Sequence, residues 1–166
     1  MSNIIVDATV WLNFARVDRV AKLVEALPQE LAVGLQVEKE VRVWPKQSAL
    51  AGQAFSLDEY VDRGLLERAE MTAAEMAIFH ATKVRLRLGD GETEALVIAA
   101  NRGWAVATDD GPARKRIAAD NASVRLSGTI GLLRALVKAT AVTQRDATEL
   151  LTVMRERGAR LPDEKI

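Results

Sequence analysis

The sequence predicts an α/β fold in which a mainly parallel central sheet is covered by helices on both faces. Short apolar runs of strand length, such as residues 3–6 and 104–108, alternate with longer segments whose apolar residues recur at helical spacing. Strands that alternate with helices form parallel sheets, because the chain must cross back between strands. Since 166 residues, 49% of them hydrophobic, suffice for one core, we expect residues 1–166 to form a single domain, with a C-terminal helix and tail from about residue 140.

The first half of the chain predicts strands that lead into helices. Residues 3–6 end on Asp7 and a helix follows, while Asp18 is suited to cap a second helix that runs to Leu27. The later segments of this half are a strand over residues 31–34, a helix from residue 37, a loop or short helix over residues 46–62 and an edge strand over residues 65–69.

The second half is organised around residues 88–116, where acidic side chains flank a predicted helix and a predicted strand. The helix opens near Asp90 and would end at Gly103. Residues 104–108 predict a buried strand, and Asp109 follows it directly. Ligands of open α/β sheets bind at the carboxyl ends of the strands, so acids there are candidates for a site. The remaining elements are a helix over residues 112–120, a strand over residues 122–126 and helices from Thr129 and Thr143.

The composition excludes several classes of protein. The chain has no cysteine, which rules out disulfides, thiolate catalysis and cysteine zinc sites. Its single histidine, His80, lies on a predicted helix away from the acids, and no glycine-rich phosphate loop is present. Lys plus Arg equals Asp plus Glu at 23 each, so binding to nucleic acid must be local or helped by a metal ion. With no basic leader and no apolar run of membrane-spanning length, we expect a cytoplasmic protein.

The remaining polar residues offer carboxylate oxygens as possible metal ligands. Carboxylates crowded at one edge repel each other unless a cation neutralises them, and oxygen ligands without His or Cys suit Mg²⁺ or Mn²⁺. The alternative is that these acids are solvated or complement helix dipoles; this explanation is adequate for Glu92 but weaker for Asp7 and Asp109, which follow apolar strands. The candidate acids are Asp7, Glu40, Glu92, Glu94, Asp109 and Asp110.

Five segments, taken together and in order, resemble the PIN-domain family, and most closely its VapC-type toxin nucleases. The resemblance covers about residues 4–136 and implies a three-layer α/β/α sandwich, a Mg²⁺- or Mn²⁺-dependent ribonuclease and a toxin–antitoxin partnership. The segments are Ile5-Val6-Asp7-Ala8-Thr9-Val10, Val37 with Glu40, Gly91-Glu92-Thr93-Glu94-Ala95-Leu96, Thr108-Asp109-Asp110-Gly111-Pro112 and Gly128-Thr129-Ile130-Gly131-Leu132-Leu133.

The same resemblance implies roles for individual acids. Asp7, Glu40, Glu94 and Asp109 match the catalytic acids, with Glu94 in a position where many members have Asp. A metal ion would be held by Asp7, Glu94 and Asp109, and a shift of one residue would select Asp110 instead of Asp109. Residues two apart on a helix point about 200° apart, so Glu92 and Glu94 are not expected to face one ion together. The resemblance favours Glu94, because residues 95–100 after it follow the family's helix pattern.

Supporting and substrate-binding roles are also expected. Thr9, Thr108 and Glu92 would support the site, with Glu92 capping its helix. RNA phosphates would meet a local cluster of cations, Arg114, Lys115 and Arg116, although a solvated helix face explains these residues equally well.

Other functions are left open by the sequence. The chain could be a non-catalytic PIN-fold module that binds RNA or protein, or a structure-specific DNA nuclease. The presence of all the acids favours an enzyme over a binding module, because a degenerate site would be expected to lose one. Whether the chain pairs with a cognate antitoxin protein, or forms a homodimer, is likewise open.

Overall fold

A central parallel sheet organises the molecule. The computed structural model describes residues 3–28 and 30–166, and within them five strands form this sheet. They are β1 (Ile4–Val6), β2 (Leu31–Gly34), β3 (Glu67–Ala69), β4 (Ala105–Ala107) and β5 (Arg125–Ser127). Their order across the sheet is β3-β2-β1-β4-β5, and every neighbouring pair is parallel. The edge position predicted for the strand near residues 65–69 is that of β3.

Helices cover the sheet on two sides. Val6, Val33 and Ala107 pack into one hydrophobic cluster with α1, α2, α8 and α9. Ile5 and Val106 point to the opposite face and pack with α6 and α7. The described helices are α1 (Ala8–Arg16), α2 (Val20–Ala26), α3 (Leu35–Glu40), α4 (Asp58–Asp62), α5 (Ala73–Leu86), α6 (Asp90–Arg102), α7 (Gly111–Asp120), α8 (Thr129–Lys138) and α9 (Gln144–Glu156).

This arrangement confirms the predicted three-layer α/β/α sandwich. Successive residues of a strand point to opposite faces, so a strand with helices on both sides must be apolar at every position. Strand β2 meets this requirement, since all four of its residues are buried. None of the helices within the described residues is long and apolar enough to cross a membrane.

The prediction that Asp18 caps α2 is wrong. Asp18 has a left-handed backbone with φ 54°, and α2 begins two residues later with Arg19 at its cap position. The Asp18 carboxylate instead accepts hydrogen bonds from the Ser48 hydroxyl at 2.5 Å and from the Ala49 amide at 3.1 Å. Asp18 therefore holds the start of the segment over residues 46–62. The sequence predicts a loop or short helix there, and the segment contains the short helix α4.

The carboxyl ends of β1 and β4 meet at one edge of the sheet. The two strands are paired with Val6 opposite Ala107. Asp7 therefore follows one strand where Thr108 follows the other, although the two residues are separated by about a hundred positions in the sequence. Helices α1, α6, α7 and α8 begin near this edge, and their first turns complete the candidate site.

Candidate functional site

Asp7 lies at the centre of this edge and is only 3% exposed. Its Oδ2 accepts hydrogen bonds from the hydroxyl of Thr9 at 2.9 Å and from the hydroxyl of Thr108 at 3.0 Å. The structure thus places both predicted supporting threonines against this carboxylate. Among the described residues, no donor is bonded to its Oδ1. This oxygen is not one of the fully buried unpaired atoms of the described residues, so it faces the open edge of the sheet, where a cation could reach it.

Asp109 is held by two residues that the sequence analysis did not assign to the site. Its Oδ1 accepts from the Thr129 amide at 2.9 Å, and its Oδ2 accepts from the Thr129 hydroxyl at 2.5 Å and from the Asn13 side-chain amide at 2.9 Å. Both residues are almost fully buried. A buried polar residue in an apolar helix needs a partner, so Asn13, between two apolar residues of α1, was the signal in the sequence. Thr9 connects Asp7 with Asp109, because its hydroxyl donates to Asp7 and its Oγ1 also accepts from the Asp109 amide at 3.2 Å.

Asp110 has a structural role at the start of α7. Its Oδ1 accepts from the Ala113 amide at 2.7 Å and so caps the helix. Its own amide donates to the Thr108 hydroxyl at 3.2 Å. Of the two adjacent acids, Asp109 is the one bound to Asn13 and Thr129, while Asp110 borders the cluster from the helix cap.

Glu40 and Glu92 complete the group of acids. The Oε1 of Glu40 accepts from the Gly91 amide at 3.1 Å. Glycine favours this close approach, because a Cβ at position 91 would lie 2.9 Å from that oxygen and 3.0 Å from the Val37 side chain. The Oε2 of Glu92 accepts from the Gly89 amide at 2.9 Å, which is the capping arrangement expected for this residue.

The pKa values of Glu40 and Glu92 respond to the charges of the neighbouring aspartates. Burial raises the pKa of the Glu92 carboxyl above its ordinary value, and the charges of Asp7, Asp110 and Glu40 raise it further, against the lowering effect of the Gly89 amide. Burial also raises the pKa of Glu40, and the charge of Asp7 adds to that effect. These charge effects place Glu40 and Glu92 in the same electrostatic neighbourhood as Asp7 and Asp110.

Glu94 occupies a different place from the one predicted. It is 1% exposed, and its Oε2 accepts from the Gln36 amide at 2.7 Å at the start of α3. A Cβ at Gly34 would lie 2.2 Å from that oxygen, so glycine is needed for the helix to reach it. The prediction that Glu94 joins Asp7 while Glu92 serves only as a cap differs from this arrangement. In the structure the carboxylate near Asp7 is that of Glu92, and Glu94, about 200° away on the helix, faces α3.

The predicted phosphate-binding cations are partly engaged elsewhere. The Arg114 guanidinium donates to the carbonyl of Thr108 at 2.9 Å and also to that of Ser127, so it joins the ends of β4 and β5. Arg116 donates to the carbonyl of Arg87 at 2.8 Å. Lys115 is exposed. Two of the three cations therefore have structural contacts that are independent of any ligand.

The donor set of this edge fits a hard divalent cation. Asp7, Glu40, Glu92, Asp109 and Asp110 take part in none of the ion pairs within the described residues. They offer only carboxylate oxygens, the ligands that Mg²⁺ and Mn²⁺ prefer. Within residues 3–28 and 30–166, no three acidic or histidine side chains converge closely enough to form a ready-made metal site. Three of these carboxylates are held in their positions by backbone amides, Glu92 by Gly89, Glu40 by Gly91 and Asp110 by Ala113.

The chain is thus an α/β protein with a parallel sheet between two layers of helices. Its cluster of carboxylates lies at the carboxyl ends of the strands, where proteins of this class bind ligands. A family model described as PIN domain matches residues 3–166. The chain therefore belongs to the PIN-domain family, whose members are generally nucleases and typically use divalent metals. The match shows the PIN-domain family, and the VapC-type subgroup stays a prediction. No curated protein matches the sequence.

Proposed function

We propose that this protein is a metal-dependent endoribonuclease that hydrolyses phosphodiester bonds in RNA. The observation that carries the proposal is the group of carboxylates around Asp7, which has no cationic partner among the described residues and lies where α/β proteins bind ligands. Membership of a family of nucleases gives this group its expected chemistry.

We assign Asp7, Glu92 and Asp109 as the residues that would hold Mg²⁺ or Mn²⁺, with Glu40 and Asp110 beside them. A bound divalent ion supplies two things to such a reaction: it stabilises charge on phosphoryl oxygens, and it makes water a stronger nucleophile at neutral pH. Glu92 replaces Glu94 in this set because its charge interacts with those of Asp7 and Glu40.

The chain's own residues orient the acids and handle protons. Thr9 and Thr108 occupy Oδ2 of Asp7, so its Oδ1 is the oxygen available to the site. Asn13 and Thr129 fix the plane of the Asp109 carboxylate. Glu40 has one carboxylate oxygen bound to the Gly91 amide, and its other oxygen is suited to accept a proton from the attacking water.

We further propose that the nuclease is the toxin of a type II toxin–antitoxin pair. The support is the resemblance of the α6 start and the α8 start to VapC-type toxins. A cognate antitoxin protein would then cover the acidic site and block cleavage. Expression of the chain alone should arrest growth of a host cell, and co-expression of the antitoxin should restore growth.

The test of the nuclease activity uses purified protein free of any co-purified partner. RNA should be cut with Mn²⁺ or Mg²⁺ and left intact with a chelator, and Asp7→Asn should abolish cleavage while the fold is retained. Asp62→Asn is the matched control, because it makes the same charge change at an exposed residue of α4. A wild-type protein that cuts no RNA in Mn²⁺ would refute the proposal, and one that cuts only DNA would favour the DNA-nuclease alternative.

A further inference from the structure

The C-terminal tail after α9 lies beside the acidic edge and is fixed there at both ends. Gly158 has φ 93°, which turns the chain back, and the amide of the buried Ala159 donates to the Met154 carbonyl at 2.9 Å. Further along, the Arg155 guanidinium donates to the carbonyls of Pro162 and, at 3.1 Å, Glu164. The residue between these anchors, Arg160, is therefore held in a defined position although its side chain is exposed.

Arg160 lines two clefts, and the same catalytic candidate, Asp109, lines both of them. One cleft, of about 410 Å³, is lined by Arg160 together with Thr9, Asn13, Arg16 and Asp109. The volumes of both clefts fall in the range of roughly 300–1,000 Å³ typical of ligand sites.

The second cleft has a volume of about 570 Å³. It is lined by Arg160 and Asp109 together with Ser127, Gly128 and Arg134. A ligand that fills both clefts must pass Asp109 and Arg160, and an extended polynucleotide strand has that shape.

The other arginines of the two clefts are engaged by protein groups. Arg16 donates to the Asn13 side-chain oxygen at 2.5 Å, and Arg114 donates to the carbonyls at the strand ends. Arg134 pairs with Glu164 at 3.3 Å and donates to a tail carbonyl. Among the described residues, Arg160 has no hydrogen bond or ion pair, so its guanidinium is available to a ligand.

We propose that Arg160 binds a phosphate of the nucleic-acid strand next to the bond that is cut, and that the two clefts mark the path of the strand on either side. This inference rests on the proposed nuclease function and adds the substrate-binding residue to it. A guanidinium offers several donors in a planar fork and suits phosphate oxygens. The sequence had favoured Arg114, Lys115 and Arg116 for this role, whereas Arg160 lies 44 or more positions further along the chain.

The experiment compares Arg160→Gln and Arg160→Lys with Arg145→Gln, a control that makes the same charge change on an exposed residue of α9 outside both clefts. Affinity for a short single-stranded RNA is measured by fluorescence anisotropy in chelator over a series of salt concentrations. Cleavage kinetics are measured with Mn²⁺. Melting of each variant checks that the fold is retained.

We expect Arg160→Gln to weaken binding about tenfold, the effect of one charged hydrogen bond. The slope of log affinity against log salt should fall by about 0.7, the contribution of one phosphate contact on a single strand. KM should rise while kcat changes less than about twofold, because the contact is made in both ground and transition states. Arg160→Lys should keep the salt slope, and Arg145→Gln should match the wild type.

The outcomes separate this inference from the nuclease proposal. If the wild type binds and cuts RNA but Arg160→Gln behaves like Arg145→Gln, the role of Arg160 is refuted and the nuclease proposal stands. If binding depends on Arg160 but no RNA is cut, the nuclease proposal fails and the binding role stands. A wild type that neither binds nor cuts overturns both.

Discussion

Replacing Glu92 and Glu94 in turn tests which glutamate of α6 serves the site. The structure separates their surroundings: Glu92 lies with Asp7 and Glu40, while Glu94 is buried against the amides at the start of α3. We therefore expect Glu92→Gln to abolish metal-dependent cleavage and Glu94→Gln to retain it.

The two positions should also differ in stability. Glu94→Ala would leave the Gln36 amide without its acceptor, which costs about 1–3 kcal/mol, and would open a cavity beside Gly34. Together these effects give a loss of about 2–4 kcal/mol, or roughly 5–15 °C in Tm for a domain of this size. Glu94→Gln keeps an oxygen acceptor at that amide and should change the free energy of unfolding by less than about 1 kcal/mol.

Glu92→Gln should leave stability nearly unchanged for a different reason. The glutamine oxygen can still accept from the Gly89 amide, as in other capping boxes. Loss of the charge forfeits about 0.3–1 kcal/mol of interaction with the helix dipole, but it also relieves repulsion from Asp7 and Glu40.

The assay is urea unfolding in chelator, followed by RNA cleavage with Mn²⁺. A folded Glu94→Gln protein that is inactive, together with an active Glu92→Gln protein, would refute the assignment and restore the ligand set expected from the sequence resemblance. A Glu94→Ala protein as stable as the wild type would contradict the buried contact with α3.

Two further predictions concern stability. Burial raises the pKa of Glu40, Glu92 and Glu94 above the ordinary 4.5. As pH falls, the folded state therefore takes up protons before the unfolded state does. The metal-free protein should gain stability between pH 7 and about pH 5. Unfolding at several pH values in chelator checks this, and falling stability over that range would contradict it. Arg102 donates from Nε and Nη2 to the buried Glu75 carboxylate at 2.9 and 2.8 Å. Arg102→Ala should therefore lower the free energy of unfolding by about 3–5 kcal/mol without impairing the cleavage chemistry of the remaining folded protein. A shift below about 1 kcal/mol in urea unfolding would show that the pair contributes little.

Local features of the fold were predictable from the sequence because they depend on neighbouring residues. The alternation of apolar runs and helical spacing predicted the parallel sheet and the acids at the ends of β1 and β4. Thr143, with Asp146 three residues later, begins α9 as a capping box at the predicted residue. The meeting of Asp7 and Asp109 at one edge followed from the same reasoning, since parallel strands end together, whereas the supporting role of Thr9 came from the family resemblance.

Only the tertiary structure decided which oxygen of each acid faces the site. The choice between Glu92 and Glu94 depends on where α3 packs against α6, and α3 comes more than fifty residues earlier in the chain. The contacts of Asp18 with Ser48 depend likewise on long-range packing. Spacing along the sequence determines the relative direction of two side chains on a helix, but burial and hydrogen-bond partners determine which direction is the site, and both arise only when distant segments meet.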